Sequence, residues 1–168
     1  STSTTNSITV SGGTHTIVLD NVIITTAAGS PITLTNKAKV NLQLSGTTTL
    51  NSPAKKACIE VPKGCELSLS GTGKLFAMGG QSAAAIGASG SDKDADAGTL
   101  GKIVIYSGTI VAKGGRNGAG IGDGQCGRGG GKIIVYGGDI YAQSGGNGAG
   151  IGAGGSEAKT DVTTLTVE

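Results

Sequence analysis

The side chains in this sequence that could carry out acid–base or covalent chemistry are few and far apart. Cleaving a polysaccharide requires two carboxylates across a groove, or a metal-bound carboxylate cluster with a cationic base. The only histidine, His15, has no Ser or Cys partner in "GGTHTIVL" and is expected on a surface strand. The glutamates and arginines are Glu60, Glu66, Glu157, Glu168, Arg116 and Arg128. We therefore expect no enzymatic activity, although a fold that joins distant segments could still assemble Asp20, Asp123 and Asp139 into a site.

An acidic segment has the alternation of a calcium-binding loop. Aspartate recurs at every second position, at Asp92, Asp94 and Asp96. The EF-hand pattern then fails, because Ala97 and Ile103 stand where that loop needs a glycine and a distant glutamate. Asp123 could complete a metal site with these three aspartates if the fold brings the two segments together. The default prediction is a solvated charged loop and no cofactor, with calcium as the alternative.

Sequence repeats provide the framework that must position these residues. The segment "GGRNGAGIGDG" at 114–124 recurs as "SGGNGAGIGAG" at 144–154. Each repeat holds about three short runs rich in β-branched residues, separated by Gly, Asn or Ser. The pattern predicts an all-β fold, a right-handed single-stranded parallel β-helix (a β-solenoid) of about five to six coils with three short strands each. The repeats of about 30 residues begin at Ile32, Ile59, Ile86 and Ile121.

The glycine-rich segments are interpreted as stacked corners of this solenoid, at residues 118–122 and 148–152. Equivalent residues in successive coils lie about 4.8 Å apart, and sharp corners with positive φ favour Gly or Asn. Asn117 over Asn147 is expected to form a ladder in which side-chain amides bond between coils. The small or thin side chains expected to stack inside are Ala119 over Ala149 and Ile121 over Ile151.

Composition and charge exclude several classes of protein. Glycine accounts for 33 residues, but only 3 prolines and no strict Gly-X-Y period rule out collagen. The net charge is +2 and no basic stripe with interleaved aromatics occurs, so nucleic acid is not expected as a partner. No apolar run approaches the roughly 20 residues that span a bilayer, so membrane insertion is not expected. Residues 1–168 are expected to form one solenoid domain.

The three cysteines are expected to be free thiols. Cys58 aligns with Ala85, Gly120 and Gly150 of later repeats, which predicts a small buried side chain. Cys65 and Cys126 lie near equivalent corners two coils apart. That separation is about 9 to 10 Å, beyond the usual disulfide span.

Alternation along the predicted strands sorts core from surface. In "ELSLSG" Leu67 and Leu69 point inward, and the equivalent pairs of the next repeats are Ile103 with Ile105 and Ile133 with Val135. On the following strand, the inward pairs are Leu75 with Ala77, Ile110 with Ala112, and Ile140 with Ala142. The outward set, toward solvent, is Phe76, Met78, Val104, Tyr106, Val111, Ile134, Tyr136 and Tyr141.

This outward set includes every aromatic residue of the chain. Flat aromatic faces spaced by one coil suit stacking against sugar rings, and tyrosine hydroxyls can add hydrogen bonds. The candidate ligand-binding residues are therefore Phe76, Val104, Tyr106, Val111, Ile134, Tyr136 and Tyr141. Tyr and Val are also good strand formers, so such a face could equally dock on a neighbouring domain or a second copy of the chain.

A family resemblance adds to this reading. The runs "NSITVSGGTHTIVLDNVII", "ACIEVPKGCELSLSGTGKL" and the repeated "GAGIG" resemble the glycine-rich parallel β-helix domain of bacterial cell-surface and secreted proteins, often labelled carbohydrate-binding domain proteins. The likeness covers nearly the whole chain. It implies a non-catalytic role in adhesion, as part of a larger extracellular protein that is secreted or surface-attached. The partner that it implies is a polysaccharide or a host or cell-surface glycan.

Three other roles remain open at this stage. The fold could serve as a structural spacer or as a subunit of a self-assembling fibre, because open solenoid ends expose unpaired strand edges. It could also be a phage or pathogen attachment protein. Ice binding is not expected, since no regular Thr-x-Thr ladder recurs from coil to coil.

Overall fold

The computed structural model describes residues 2–91, 99–129, 131–155 and 164–168, and these residues form strands and turns without a helix. Every coil contributes three short strands that are separated by corners. The strands are β1 (Thr2–Thr4), β2 (Ile8–Ser11), β3 (Thr14–Asp20), β4 (Val22–Thr25), β5 (Ile32–Thr35), β6 (Lys39–Ser45), β7 (Thr47–Asn51), β8 (Ile59–Glu60), β9 (Glu66–Gly71), β10 (Lys74–Met78), β11 (Ile86–Gly87), β12 (Lys102–Ile105), β13 (Thr109–Lys113), β14 (Ile121–Gly122), β15 (Lys132–Val135), β16 (Asp139–Gln143), β17 (Ile151–Gly152) and β18 (Thr164–Val167).

The strands form three parallel sheets, each of six strands in the described part of the chain. Sheet A has the order β1-β4-β7-β10-β13-β16, sheet B the order β2-β5-β8-β11-β14-β17, and sheet C the order β3-β6-β9-β12-β15-β18. Each strand therefore pairs with the strand one coil later, three elements along the chain. This is the β-solenoid that the repeats predict, and its coil number agrees with the predicted five to six.

The register places like residues over like residues. The isoleucines that begin the repeats form one continuous column in sheet B: Ile32, Ile59, Ile86, Ile121 and Ile151 pair in succession. In sheet C, Leu69 pairs with Leu42 on one side and Ile105 on the other. Stacking of this kind follows from parallel pairing without a register shift, since any slip by one residue would turn the apolar set outward.

The core lies between the three sheets and consists of the inward side chains that alternation predicts. In β6, for instance, Val40, Leu42 and Leu44 are buried and the residues between them are exposed. The predicted inward pairs of β9, β12 and β10 are all buried. The last coil is less enclosed, because Val135, Ile140 and Ala142 are only partly buried.

The interpretation of residues 118–122 and 148–152 as corners is correct only in part. The corner ends at Gly120, and Ile121–Gly122 and Ile151–Gly152 are two-residue strands of sheet B. Gly122 and Gly152 have the expected positive φ, at 142° and 125°. The remaining glycines of the corner serve close approach between coils: a Cβ at Gly118 would overlap the backbone of Ala83. Among the described residues, no helix has the length and hydrophobicity needed to cross a membrane.

Candidate binding surfaces

The outer face of sheet A carries an apolar ladder formed by Phe76, Val111 and Tyr141. These residues occupy equivalent positions of β10, β13 and β16, and Val111 pairs with Phe76 on one side and with Tyr141 on the other. Phe76 is 37 % exposed and Tyr141 is 66 % exposed, while Val111 between them is half-buried. All three point outward, as alternation predicts. We call this column the sheet A ladder.

Mostly polar side chains border the sheet A ladder on both sides, with Met78 of β10 as the apolar exception. Two residues further along the strands, Lys113 pairs with Gln143, and two residues before, Thr109 pairs with Asp139. A shallow cavity of about 330 Å³ lies between β13 and β16 and is lined by Val111, Lys113, Tyr141 and Gln143, with Ala112 and Ala142. An aromatic ring beside an amide, a cation and hydroxyl groups can stack on a sugar ring and bond its hydroxyls.

Tyr106 and Tyr136 form a second aromatic feature, just beyond the ends of β12 and β15. Their ring centroids lie 5.2 Å apart and their planes are within 4° of parallel. Backbone bonds hold the pair in this position: Tyr136 N donates to Ile105 O at 2.8 Å, and Tyr106 N donates to Leu69 O at 2.9 Å. The facing ring surfaces are therefore occupied by each other. The stacking leaves the other face of each ring, its edges and its hydroxyl uncovered by the partner ring, so the expectation of open flat faces is met only in part.

The prediction that Val104 and Ile134 are exposed to solvent is wrong. Both point outward from sheet C, but their exposed fractions are only 3 % and 8 %. Each short β-branched side chain lies between longer neighbours on the same face, with Lys102 or Lys132 before it and a stacked tyrosine after it. The two side chains also lie beside each other across the strands. Alternation predicts direction, whereas burial depends on the size of the neighbours, so neither residue belongs to an open surface.

The predicted single aromatic face is therefore two separate features. The tyrosine pair lies at the corner between sheets C and A, and the sheet A ladder lies on the next sheet around the coil. Met78, predicted outward, is exposed on β10.

The candidate metal ligands are only partly described. Asp92, Asp94 and Asp96 lie outside the described residues. Asp123 is fully buried, and its Oδ1 accepts a hydrogen bond from the backbone N–H of Leu100 at 2.7 Å. This bond anchors the residues that lead into β12. In the described ranges no group of three or more His, Cys, Asp or Glu side chains could hold a metal ion, and calcium binding stays a prediction.

The other acidic and basic candidates are dispersed over the solenoid. Asp20 lies on β3 at one edge of sheet C, and Asp139 lies on β16 at the opposite end of sheet A. Glu60 accepts a hydrogen bond from Ser30 Oγ at 2.9 Å. Glu66 forms an ion pair with Lys102 at 2.9 Å on the outer face of sheet C. His15 is exposed on β3, as expected, with its Nε2 2.9 Å from Gly12 O.

The three cysteines are free, as predicted, and Cys58 is buried in register with Ala85. Burial raises the pKa of the Cys58 thiol from 9.0 to about 11, although hydrogen bonds with Ser52 and nearby backbone oppose the shift. The Sγ donates to Leu50 O at 3.2 Å. Cys126 is partly exposed.

At pH 8 we therefore expect a thiol reagent such as DTNB to modify Cys126 and leave Cys58 unmodified in the folded protein.

The raised pKa of Cys58 also makes the stability of the fold depend on pH. Because the pKa of this thiol is higher in the folded protein than in the unfolded chain, the contribution of protonated Cys58 to the free energy of unfolding is complete below pH 9.0. That contribution is lost between pH 9.0 and about 11. Over that window the free energy of unfolding should fall by about 1.4 kcal/mol per pH unit more than in Cys58→Ala. Urea denaturation of both proteins across this pH range measures the difference. If the free energy of unfolding falls equally steeply with pH in the two proteins, the pKa of Cys58 is not raised by folding.

The asparagine ladder predicted at the corners is confirmed. Asn147 Nδ2 donates to Asn117 Oδ1 at 3.0 Å, and Asn117 Nδ2 donates to Gln125 Oε1 at 3.3 Å. Lys55 and Ser82 occupy the equivalent position in earlier coils. These two residues have positive φ, at 66° and 74°, whereas Asn117 and Asn147 do not. A cavity lies beside these residues. The sequence does not predict it, because the residues that line it come from separate coils.

The geometry defines the class of the molecule as a parallel β-solenoid with two outward-facing aromatic features and a polar corner. Comparisons with protein-family models, with curated proteins and with solved structures find no match to the chain.

Proposed function

We propose that the chain is a non-catalytic glycan-binding or adhesion module that acts outside the cell as part of a bacterial surface protein. The observation that carries the proposal is the sheet A ladder, where Tyr141 is 66 % exposed beside an open cavity of about 330 Å³. The resemblance of the glycine-rich repeats to bacterial surface β-helix domains supports the same role and the extracellular location. Its partner is a polysaccharide or a cell-surface glycan.

The physical chemistry of the ladder suits a sugar chain. Sugar rings present C–H groups that pack on an aromatic face, while their hydroxyls need donors and acceptors at the rim. Tyr141 provides the ring, and Lys113 and Gln143 provide rim groups on the neighbouring column. The column runs across the coils at about 4.8 Å per strand, so an extended glycan lying across the strands would meet Phe76, Val111 and Tyr141 in turn.

The narrowness of the ladder favours a glycan over a protein partner. A stable protein–protein interface buries about 800 Å² on each partner, with an apolar centre. The sheet A ladder is one column wide. One neighbouring column holds Lys74, Thr109 and Asp139, and the other holds Met78, Lys113 and Gln143. An apolar column whose borders are polar except at Met78 matches the alternating faces of a sugar chain better than the centre of a protein interface.

Tyr141→Ala tests the proposal. We expect binding to a polysaccharide identified by glycan array or by cellulose and pectin pull-down to weaken by about tenfold or more, because the exposed aromatic platform is lost. Circular dichroism and the melting temperature should be almost unchanged, since the side chain contributes little to the core.

Tyr136→Ala is the matched control. It removes the same side chain, but from a stacked pair whose inner faces are not accessible, so binding should weaken less than in Tyr141→Ala. Absence of binding across the arrays and pull-downs by the unaltered protein would overturn the proposal. Equal losses in the two variants would move the site away from the sheet A ladder.

A further inference from the structure

A second cavity lies at the corner between sheets A and B. It measures about 360 Å³ and is lined by Ala54, Lys55, Gln81, Ser82, Asn117 and Gln125. We call it the corner cavity. These residues follow the ends of β7, β10, β13 and β14, so the walls come from successive coils and from the segment after β14. It is separate from the sheet A ladder, and the two share no lining residue.

The segments after β11, β14 and β17 of sheet B fold back onto this corner and shape the cavity. The backbone N–H groups of Gly90, Gln125 and Gly155 donate to the carbonyls of Lys55, Ser82 and Asn117, at 3.0, 2.7 and 2.7 Å. One equivalent bond therefore forms in each of three coils. The bond to Ser82 holds Gln125 against the corner, where its side chain reaches Asn117.

Two residues that line the cavity have a backbone conformation that non-glycine residues rarely adopt. Lys55 has φ of 66° and Ser82 has φ of 74°. A left-handed conformation costs an L-residue roughly 1–2 kcal/mol, and such positions concentrate at binding sites. In the equivalent column of the later coils, Asn117 and Asn147 bond to each other instead.

Hydrogen bonds within the corner occupy some of the amide groups that line the cavity and leave others for a ligand. Asn117 is used on both sides of its amide, because its Oδ1 accepts from Asn147 and its Nδ2 donates to Gln125. In Gln125 only the Oε1 forms a hydrogen bond with another described residue, which leaves the two Nε2 protons without a partner in that part of the chain. The Gln81 side chain is exposed and makes no hydrogen bond with the described residues. The corner cavity thus offers a complete carboxamide and a second amide donor.

We infer that the corner cavity binds a single saccharide unit through its hydroxyl groups. A carboxamide presents a donor and an acceptor in one plane, which matches two neighbouring hydroxyls of a sugar ring. The described lining residues contain no carboxylate for a cation and no aromatic ring for a base or an apolar ligand. The volume lies within the range of small-molecule sites, about 300–1,000 Å³. This site is distinct from the one proposed on the sheet A ladder and does not depend on it.

Titration of ¹⁵N-labelled protein with D-glucose, D-galactose and N-acetyl-D-glucosamine tests the inference by NMR. The side-chain NH₂ signals of Gln81 and Gln125 should shift saturably with at least one sugar, with Kd of about 1–10 mM. Gln81→Ala combined with Gln125→Ala should weaken that binding by about tenfold or more, since two hydrogen bonds are lost. Cellotetraose or chitotetraose distinguishes the source: tighter binding than the monosaccharide indicates a unit of a polysaccharide, and equal binding indicates a free sugar.

Gln43→Ala is the control, because Gln43 is an exposed glutamine on β6 of sheet C, away from the corner. It should leave the affinity unchanged. No saturable shift at Gln81 or Gln125 with any of these sugars overturns the inference. Shifts confined to Tyr141 and Phe76 would also overturn it while supporting the sheet A ladder, so the two proposals fail separately.

Discussion

Gly122→Ala is expected to prevent the solenoid from folding, or to lower its free energy of unfolding by at least about 4 kcal/mol. Gly122 has φ of 142°, in a region that only glycine adopts readily. A Cβ on Gly122 would overlap the carbonyl oxygen of Gly152 in the next coil. The Cβ would be attached to the backbone of β14, and the oxygen belongs to the backbone of β17, which pairs with it. No side chain can therefore move to relieve the overlap. Urea denaturation followed by circular dichroism measures the loss.

Gly29→Ala separates backbone strain from steric overlap. Gly29 has φ of 81°, yet a Cβ there would meet nothing within 4 Å. Only the left-handed conformation is penalised, at roughly 1–2 kcal/mol. If Gly122→Ala costs no more than Gly29→Ala, the close approach of successive coils at the Ile-Gly strands is not what requires glycine.

Leu69→Ala is expected to lower the free energy of unfolding by about 2–5 kcal/mol. Leu69 is fully buried and lies in an aliphatic column between Leu42 and Ile105. Removing its side chain forfeits the transfer free energy and leaves a cavity. Backbone bonds hold the coils above and below at a fixed spacing, so they cannot move together to fill it. The change in urea midpoint, at constant m-value, gives the magnitude.

Ser68→Ala is the matched control for this substitution. Ser68 is the preceding residue on β9, points outward and is half-buried. Its replacement should change the free energy of unfolding by less than about 0.5 kcal/mol. Similar effects at the two neighbouring positions would contradict the inward and outward assignment of β9.

The fold could be predicted from sequence because one physical rule repeats in every coil. Parallel pairing at constant register requires each inward position to be filled by a similar residue. The column from Ile32 to Ile151 is therefore visible as a period in the sequence. The same rule correctly predicts the inward pair Leu67 and Leu69, the buried Cys58 and the amide bond between Asn117 and Asn147.

The candidate sites could be predicted only in part, because they depend on what lies beside a residue and not on the direction of its side chain. Val104 and Tyr106 share one outward phase, yet the shorter side chain is buried and the longer one is exposed. Tyr106 and Tyr136 stack on each other, which follows from their length and spacing and not from alternation. The corner cavity brings Gln81 and Gln125 together from different coils, and no local pattern records that encounter.

In all three sheets each strand pairs with the strand one coil later, and this arrangement has a mechanical consequence. Each described strand is bonded to the strands of the adjacent coils, so the molecule is cross-linked along its axis and not around its circumference. Tension applied along that axis would peel the stack one coil at a time, and each event would release about 30 residues, or about 100 Å of extended chain. Such a structure lengthens coil by coil under load and dissipates mechanical work in several successive events instead of one global unfolding event.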